Sequence, residues 1–125
     1  IDERENLGIF NKDDASNARL ERNQEIQSLI DALKTNNLLD ENHLNTAFND
    51  EIVIAIHKYI AISNAKIAII QIEDLACEAT SVNLPGTDKE RPNWQRKISK
   101  NIDQIFGDKN NLSTKIANAV KLTNR

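Results

Sequence analysis

The run from Lys66 to Ile72 constrains this chain more than any other stretch. It is short, rich in β-branched isoleucine and without strict alternation. That is the pattern of a strand buried on both faces, as in a parallel sheet, and periodicity alone does not separate it from a buried helical segment. A strand needs a ladder partner for its N–H and C=O groups. No other stretch reads as a strand, so parallel neighbours would have to come from outside this sequence. The chain is therefore expected to be an internal or C-terminal piece of something larger. The absence of any methionine, even at position 1, points the same way.

The rest of the sequence patterns as helix. Three glycines and two prolines favour long helices over many tight turns. Residues 1–12 carry little pattern and read as a leading loop or frayed turn. Residues 13–64 read as helical. Asp13 and Asp14 offer N-caps, and Ile26, Leu29, Ile30 and Leu33 follow helical spacing, with Leu20 extending the stripe backwards. Asn36-Asn37 should end that helix in a left-handed cap. Asp40 is expected to cap a short turn through Phe48. Asn49 or Asp50 should cap a helix from Glu51 to about Ile62 that is apolar on most sides, with His57 and Lys58 on its more exposed edge. After a strand-loop-helix stretch over 65–98, the spacing predicts helix from Gln95 to Phe106. Its face would be Ile98, Ile102, Ile105 and Phe106, with Gly107 as C-cap. Ser113 should cap a last helix lined by Ile116, Ala119 and Val120. The expected fold is mainly α with at most one short β-strand.

Charge is unevenly placed. Residues 1–90 carry a net charge of −9 and residues 91–125 one of +6. The basic tail has no aromatic interleaving beyond Trp94 and Phe106, so it reads as a solvated helix face rather than a nucleic-acid surface. The single cysteine, Cys77, excludes an intramolecular disulfide, which fits a reducing cytoplasm. It reads as a small packing residue rather than a nucleophile. The window Ile52–Ile72 is apolar but holds His57, Lys58, Asn64 and Lys66, charges and polar groups that a membrane span would place at high cost.

The sequence contains no recognisable catalytic set. Glu73 and Asp74 are adjacent in a segment expected to be extended, so their side chains would point to opposite faces and not flank one glycosidic bond. Asp50-Glu51 suits a helix start. His43 and His57 lack metal-ligand spacing, and the isolated glycines form no phosphate loop, so no metal or cofactor is expected. The exception is Asn83-Leu84-Pro85-Gly86-Thr87. A fixed proline φ next to a glycine able to take positive φ makes a rigid turn. Asn83 just before it presents an amide donor and acceptor suited to sugar hydroxyls. Taken alone, such a turn is structural more often than it is a binding site.

The run IEDLACEATSVNLPGTDKERPNWQRKI resembles the C-terminal signature of the amylomaltases, or 4-α-glucanotransferases. Their pattern is an acidic strand end, then Asn-x-Pro-Gly-Thr, then Asn-Trp and a basic residue. Gln95 stands here where a basic residue is common. The segment Ala55–Ala65 and the opening Ile1-Asp-Glu-Arg-Glu resemble other parts of the family, and the likeness fades after about Phe106.

The resemblance implies the C-terminal part of an interrupted (β/α)8 barrel, with Ile67–Ile72 as strand eight. It implies a cytoplasmic enzyme of carbohydrate metabolism that transfers α-1,4-glucan segments between maltodextrins by a retaining mechanism. The catalytic acids of the family lie on upstream strands, so the chain itself is expected to be inactive. The resemblance assigns Asn83 to the glucan cleft, Pro85 and Gly86 to shaping its approach, and Asp74 and Trp94 to orienting the loop. The alternative is a small helical interaction module without enzymatic activity. In either case the isoleucines of 66–72 need cover, each worth roughly 1.5–3 kcal/mol when buried. They are expected either to be absorbed into a helical bundle or to drive self-association.

Overall fold

Local capping sets the helices. The computed structural model describes residues 1–42, 47–109 and 111–123, and among them six helices and no strand. They are α1 (Asp2–Asn6), α2 (Lys12–Thr35), α3 (Asp50–Ala61), α4 (Ile72–Ala76), α5 (Ile102–Phe106) and α6 (Leu112–Lys121). None is long and apolar enough to cross a membrane. Packing divides the chain into two units, Ile1–Asp31 with Ser81–Arg96, and Ala32–Thr80 with Lys97–Arg125.

In the first unit, the expected leading loop is instead a helix. Asp2, Glu3 and Glu5 occupy the first turn of α1, where acids favour the dipole. Arg19 of α2 then reaches back to Asp2 Oδ1 and Glu5 Oε2, each at 2.6 Å. Such a distant partner is invisible to local pattern. The start of α2 is a reciprocal cap: the Asp14 N–H donates to Asn11 Oδ1 at 2.9 Å and the Asn11 N–H donates to Asp14 Oδ2 at 3.3 Å. The cap is thus Asn11, two residues before the predicted Asp13. Ala15 and Ile30 are buried, whereas Leu20 is exposed and extends no stripe.

In the second unit, α2 ends where predicted. Asn37 is left-handed (φ 56), its N–H donates to Lys34 O, and the Leu38 N–H donates to Leu33 O. This paired closure of a helix end recurs at Gly8 after α1 and at Cys77 after α4. Leu33 and Leu39 are buried. Asp40 Oδ1 accepts from the Asn42 N–H, but His43 and part of the turn predicted to reach Phe48 lie outside the described residues. Asn49 caps α3 as predicted, accepting from the Ile52 N–H. The core of the unit is Val53, Leu112 and Ile116, with Ile54, Leu75 and Val120 packed against it. The helix α6 packs against both α3 and α5.

Several expectations fail here for identifiable reasons. His57 is buried rather than on the exposed edge of α3, because Nδ1 lies 2.8 Å from the Val53 carbonyl, which takes its proton, and the ring is covered. The segment 66–71 is neither strand nor helix. Without a ladder partner it takes no regular structure, and Ile67 and Ile69 are 77% and 79% exposed. Glu73 and Asp74 are not extended; they open α4, where the dipole favours them.

The predicted helix over Gln95–Phe106 shrinks to α5, because Asn101 and Gln104 form a capping box that starts the helix at Ile102. Of its expected apolar face, Ile105 is buried while Ile102 and Phe106 are exposed. Gly107 closes α5 at φ −77, a right-handed rather than left-handed cap. The cap of α6 is Asn111, not Ser113. The Ser113 hydroxyl donates instead to the Ile105 carbonyl, which also accepts from Asn111 Nδ2 at 2.6 Å.

Candidate functional site

The Asn-x-Pro-Gly-Thr stretch forms a built loop in the first unit. The Thr87 N–H donates to Leu84 O at 3.2 Å, with Pro85 and Gly86 between them and Gly86 at φ +92. This is the type II turn geometry, which asks for proline first and a residue free to take positive φ second. Thr87 Oγ1 donates to the same Leu84 carbonyl at 2.7 Å.

Asn93 ties this turn to the second half of the motif. Its Nδ2 donates to Thr87 O at 3.1 Å and to Thr87 Oγ1 at 2.9 Å. Its Oδ1 accepts from the Leu84 N–H at 2.9 Å and from Arg91 Nη1 at 2.8 Å. One primary amide thus satisfies both of its ends within the loop. Beside it, the Trp94 N–H donates to Val82 O at 2.9 Å, which fixes Trp94 in the left-handed region at φ 61.

Arg91 is the buried charge under this knot. Its Nη2 donates to Ser81 O, and its Nε donates to Glu3 Oε1 at 2.7 Å. A guanidinium taken out of water needs such partners for most of its donors. The loop is therefore held by main-chain turn, amide and ion pair together.

The predicted site residues fall into two groups. Asn83, Pro85, Gly86 and Trp94 stand together on the loop. Asn83 is half-buried; its carbonyl accepts from Ser81 Oγ at 2.7 Å, and among the described residues its side-chain amide makes no hydrogen bond. Pro85 and Gly86 are the exposed corner of the turn, and Trp94 is 75% exposed. Asp74 belongs to the other unit, in the first turn of α4, where its Oδ2 lies 3.9 Å from His57 Nε2. Asn93, Thr87, Arg91 and Glu3 were not singled out from the sequence. The adjacency of Asn93 to Trp94 inside the motif was the available signal. Nothing local marks Glu3, which pairs across 88 positions. Among the described residues, no group of three or more His, Cys, Asp or Glu side chains could hold a metal ion.

The likeness to known proteins extends beyond the loop. The chain is 32% identical over 106 residues to a 4-alpha-glucanotransferase of Haemophilus influenzae, an alignment that covers 82% of this chain and 15% of that protein. It thus spans a small part of that relative's length. No solved structure matches it. The 4-alpha-glucanotransferase family pattern matches residues 10–103, which include the whole turn and Asn93-Trp94, and the chain belongs to that family.

Proposed function

We propose that this chain is the C-terminal part of a cytoplasmic 4-α-glucanotransferase that moves α-1,4-glucan segments between maltodextrins with retention of configuration. Its place is the last section of an interrupted (β/α)8 barrel, in which Ile67–Ile72 would form strand eight once its neighbours are present. The loop 81–96 lies behind that strand in sequence, and ligands of such barrels bind at loops after the strands.

The observation that carries the reading is the contrast between two asparagines of one loop. Asn93 spends all its hydrogen-bonding capacity inside the protein, whereas among the described residues the side chain of Asn83 spends none. A rigid loop that leaves one amide unengaged has a donor and an acceptor ready for a sugar hydroxyl pair. Pro85 and Gly86 shape the approach to that amide. The backbone of Trp94 keeps the loop closed.

The acids of the reaction come from upstream strands, and the chain by itself transfers nothing. Apart from a glucan in the intact protein, the partner of the chain is a second copy, which covers the isoleucines when the barrel is absent. The test is disproportionation of maltotriose. The intact protein that carries this chain should release glucose and longer maltodextrins, and the 125-residue chain alone should match a blank. Turnover by the chain, abolished by changing one of its own carboxylates, would overturn the assignment of the acids to other strands.

A further inference from the structure

We infer that His57 and Asp74 form a proton-operated clasp: the imidazole, once it takes a second proton from solvent, draws the start of α4 onto α3, and the neutral ring releases it. Both residues belong to the second unit, so the clasp owes nothing to the loop 81–96 or to a glucan.

The backbone fixes the proton of the neutral ring. His57 Nδ1 lies 2.8 Å from the Val53 carbonyl oxygen. A carbonyl only accepts, so Nδ1 carries the hydrogen and Nε2 keeps a lone pair. That lone pair faces Asp74 Oδ2 at 3.9 Å. Two acceptors form no hydrogen bond, and their separation lies outside the usual range of about 2.7–3.2 Å. A proton on Nε2 turns the same meeting into a charge-assisted hydrogen bond, which settles at about 2.7–2.9 Å. The charged ring then has both N–H groups satisfied, by Val53 O and by Asp74, as a buried cation requires.

The surrounding charges leave Asp74 as the partner. Lys58 follows His57 on α3, and Asp50 and Glu51 stand at the start of that helix. Glu73 stands beside Asp74 on α4. The helix α6, packed on α3, brings Lys115 and Lys121, and Lys115 is engaged by Asp50 at 2.8 Å. Among the described residues, the ion pair open to the imidazole is the one with Asp74.

The element that moves is α4. His57 is buried on a helix of 12 residues, whereas α4 has five, of which Ala76 is the buried one. Leu75 packs against the core, and the Asp74 side chain is 51% exposed, with room to approach. Imidazoles as a class change charge near about pH 6.5. The clasp therefore closes as pH falls through the imidazole range and opens as pH rises through it.

The test follows the imidazole nitrogens of the 125-residue chain by NMR from pH 8 to pH 5, with His57→Gln separating the signals of His57 from those of His43. The hydrogen should sit on Nδ1 at pH 8, and Nε2 should gain one on acidification. Urea unfolding then compares the chain with Asp74→Asn. The factor by which Asp74→Asn favours unfolding should grow about two- to fivefold from pH 8 to pH 5.5, and should not change with pH in a His57→Gln background. If His57→Gln does not fold, the Nε2 signal displaced by Asp74→Asn identifies His57, and the pH dependence of that variant decides. A hydrogen on Nε2 at pH 8, a ring neutral down to pH 5, no Nε2 signal displaced by Asp74→Asn, or the same Asp74→Asn penalty at both pH values would each overturn the clasp.

Discussion

Arg91 Nε donates to Glu3 Oε1 at 2.7 Å, so the loop that carries the family motif is held by the third residue of the chain. The arginine side chain is 10% exposed and the glutamate 43%. Arg91→Ala removes donors from Glu3, Asn93 Oδ1 and Ser81 O at once. The expected loss is about 1–3 kcal/mol, because acceptors made for a buried donor are left unsatisfied. Glu3→Gln keeps an oxygen in place and should cost less than Arg91→Ala. Urea unfolding of the two variants checks the order.

The two asparagines should separate stability from binding. Asn93→Ala breaks the knot and is expected to destabilise by about 1–3 kcal/mol. Asn83→Ala removes a side chain with no internal partner among the described residues and should leave the melting temperature unchanged. In the intact protein it should lower kcat/KM for maltotriose by an amount worth about 0.5–1.5 kcal/mol. Unchanged kinetics for Asn83→Ala would return that residue to a purely architectural role.

Acid should release α1 before it unfolds the rest. The hydrogen bond and charge of Arg19 hold the Asp2 carboxyl below its ordinary value of 3.8. A lowered carboxylate contributes stability that is present above the unfolded value and is lost as pH falls through the folded one. The window is therefore below pH 3.8. Backbone amide shifts of residues 2–9 followed from pH 6 to 2 should move toward coil values there. Arg19→Gln should show those coil values already at neutral pH.

Gly107 is expected to resist substitution although its φ of −77 is ordinary. A methyl carbon built on it would stand 2.4 Å from the Asp103 carbonyl oxygen, the same oxygen that accepts its N–H at 2.7 Å. Backbone cannot yield as a side-chain tip can, so the end of α5 must open. Gly107→Ala should cost about 1–3 kcal/mol, whereas Phe106→Ala, at an exposed neighbour, should stay within about 0.5 kcal/mol. Denaturant midpoints distinguish the two.

Periodicity and caps revealed the parts of the fold that local chemistry decides. The body of α2, the Asn37 closure, the Asn49 cap of α3 and the Ile116–Val120 face of α6 all follow from residues within a turn or two of one another. The Pro85-Gly86 corner was legible for the same reason. What the sequence hid depends on distant partners. Arg19 stabilises α1 across 17 positions in reaching Asp2, and Arg91 finds Glu3 across 88. The isoleucines of 66–72 read as sheet material but form no strand here, because pattern records what a segment suits and not whether its neighbours are present. Asn93 was visible as a motif letter and invisible as the hub of the loop.

The exposed segment between α3 and α4, which forms neither helix nor strand, makes the chain sensitive to proteases. Proteases bind substrates as extended, solvent-accessible chain, and regions without ladder bonds open at almost no cost. Residues 66–71 are exposed and form neither helix nor strand, and Lys66 supplies a site for a trypsin-like enzyme. A brief digestion should nick the chain after Lys66 before it cuts within α2 or α6. Under the barrel reading proposed above, the same bond should survive in a longer protein that carries this chain, since a strand paired on both sides offers the protease no backbone to bind. The survival of one peptide bond would then report directly whether the sheet around it has formed.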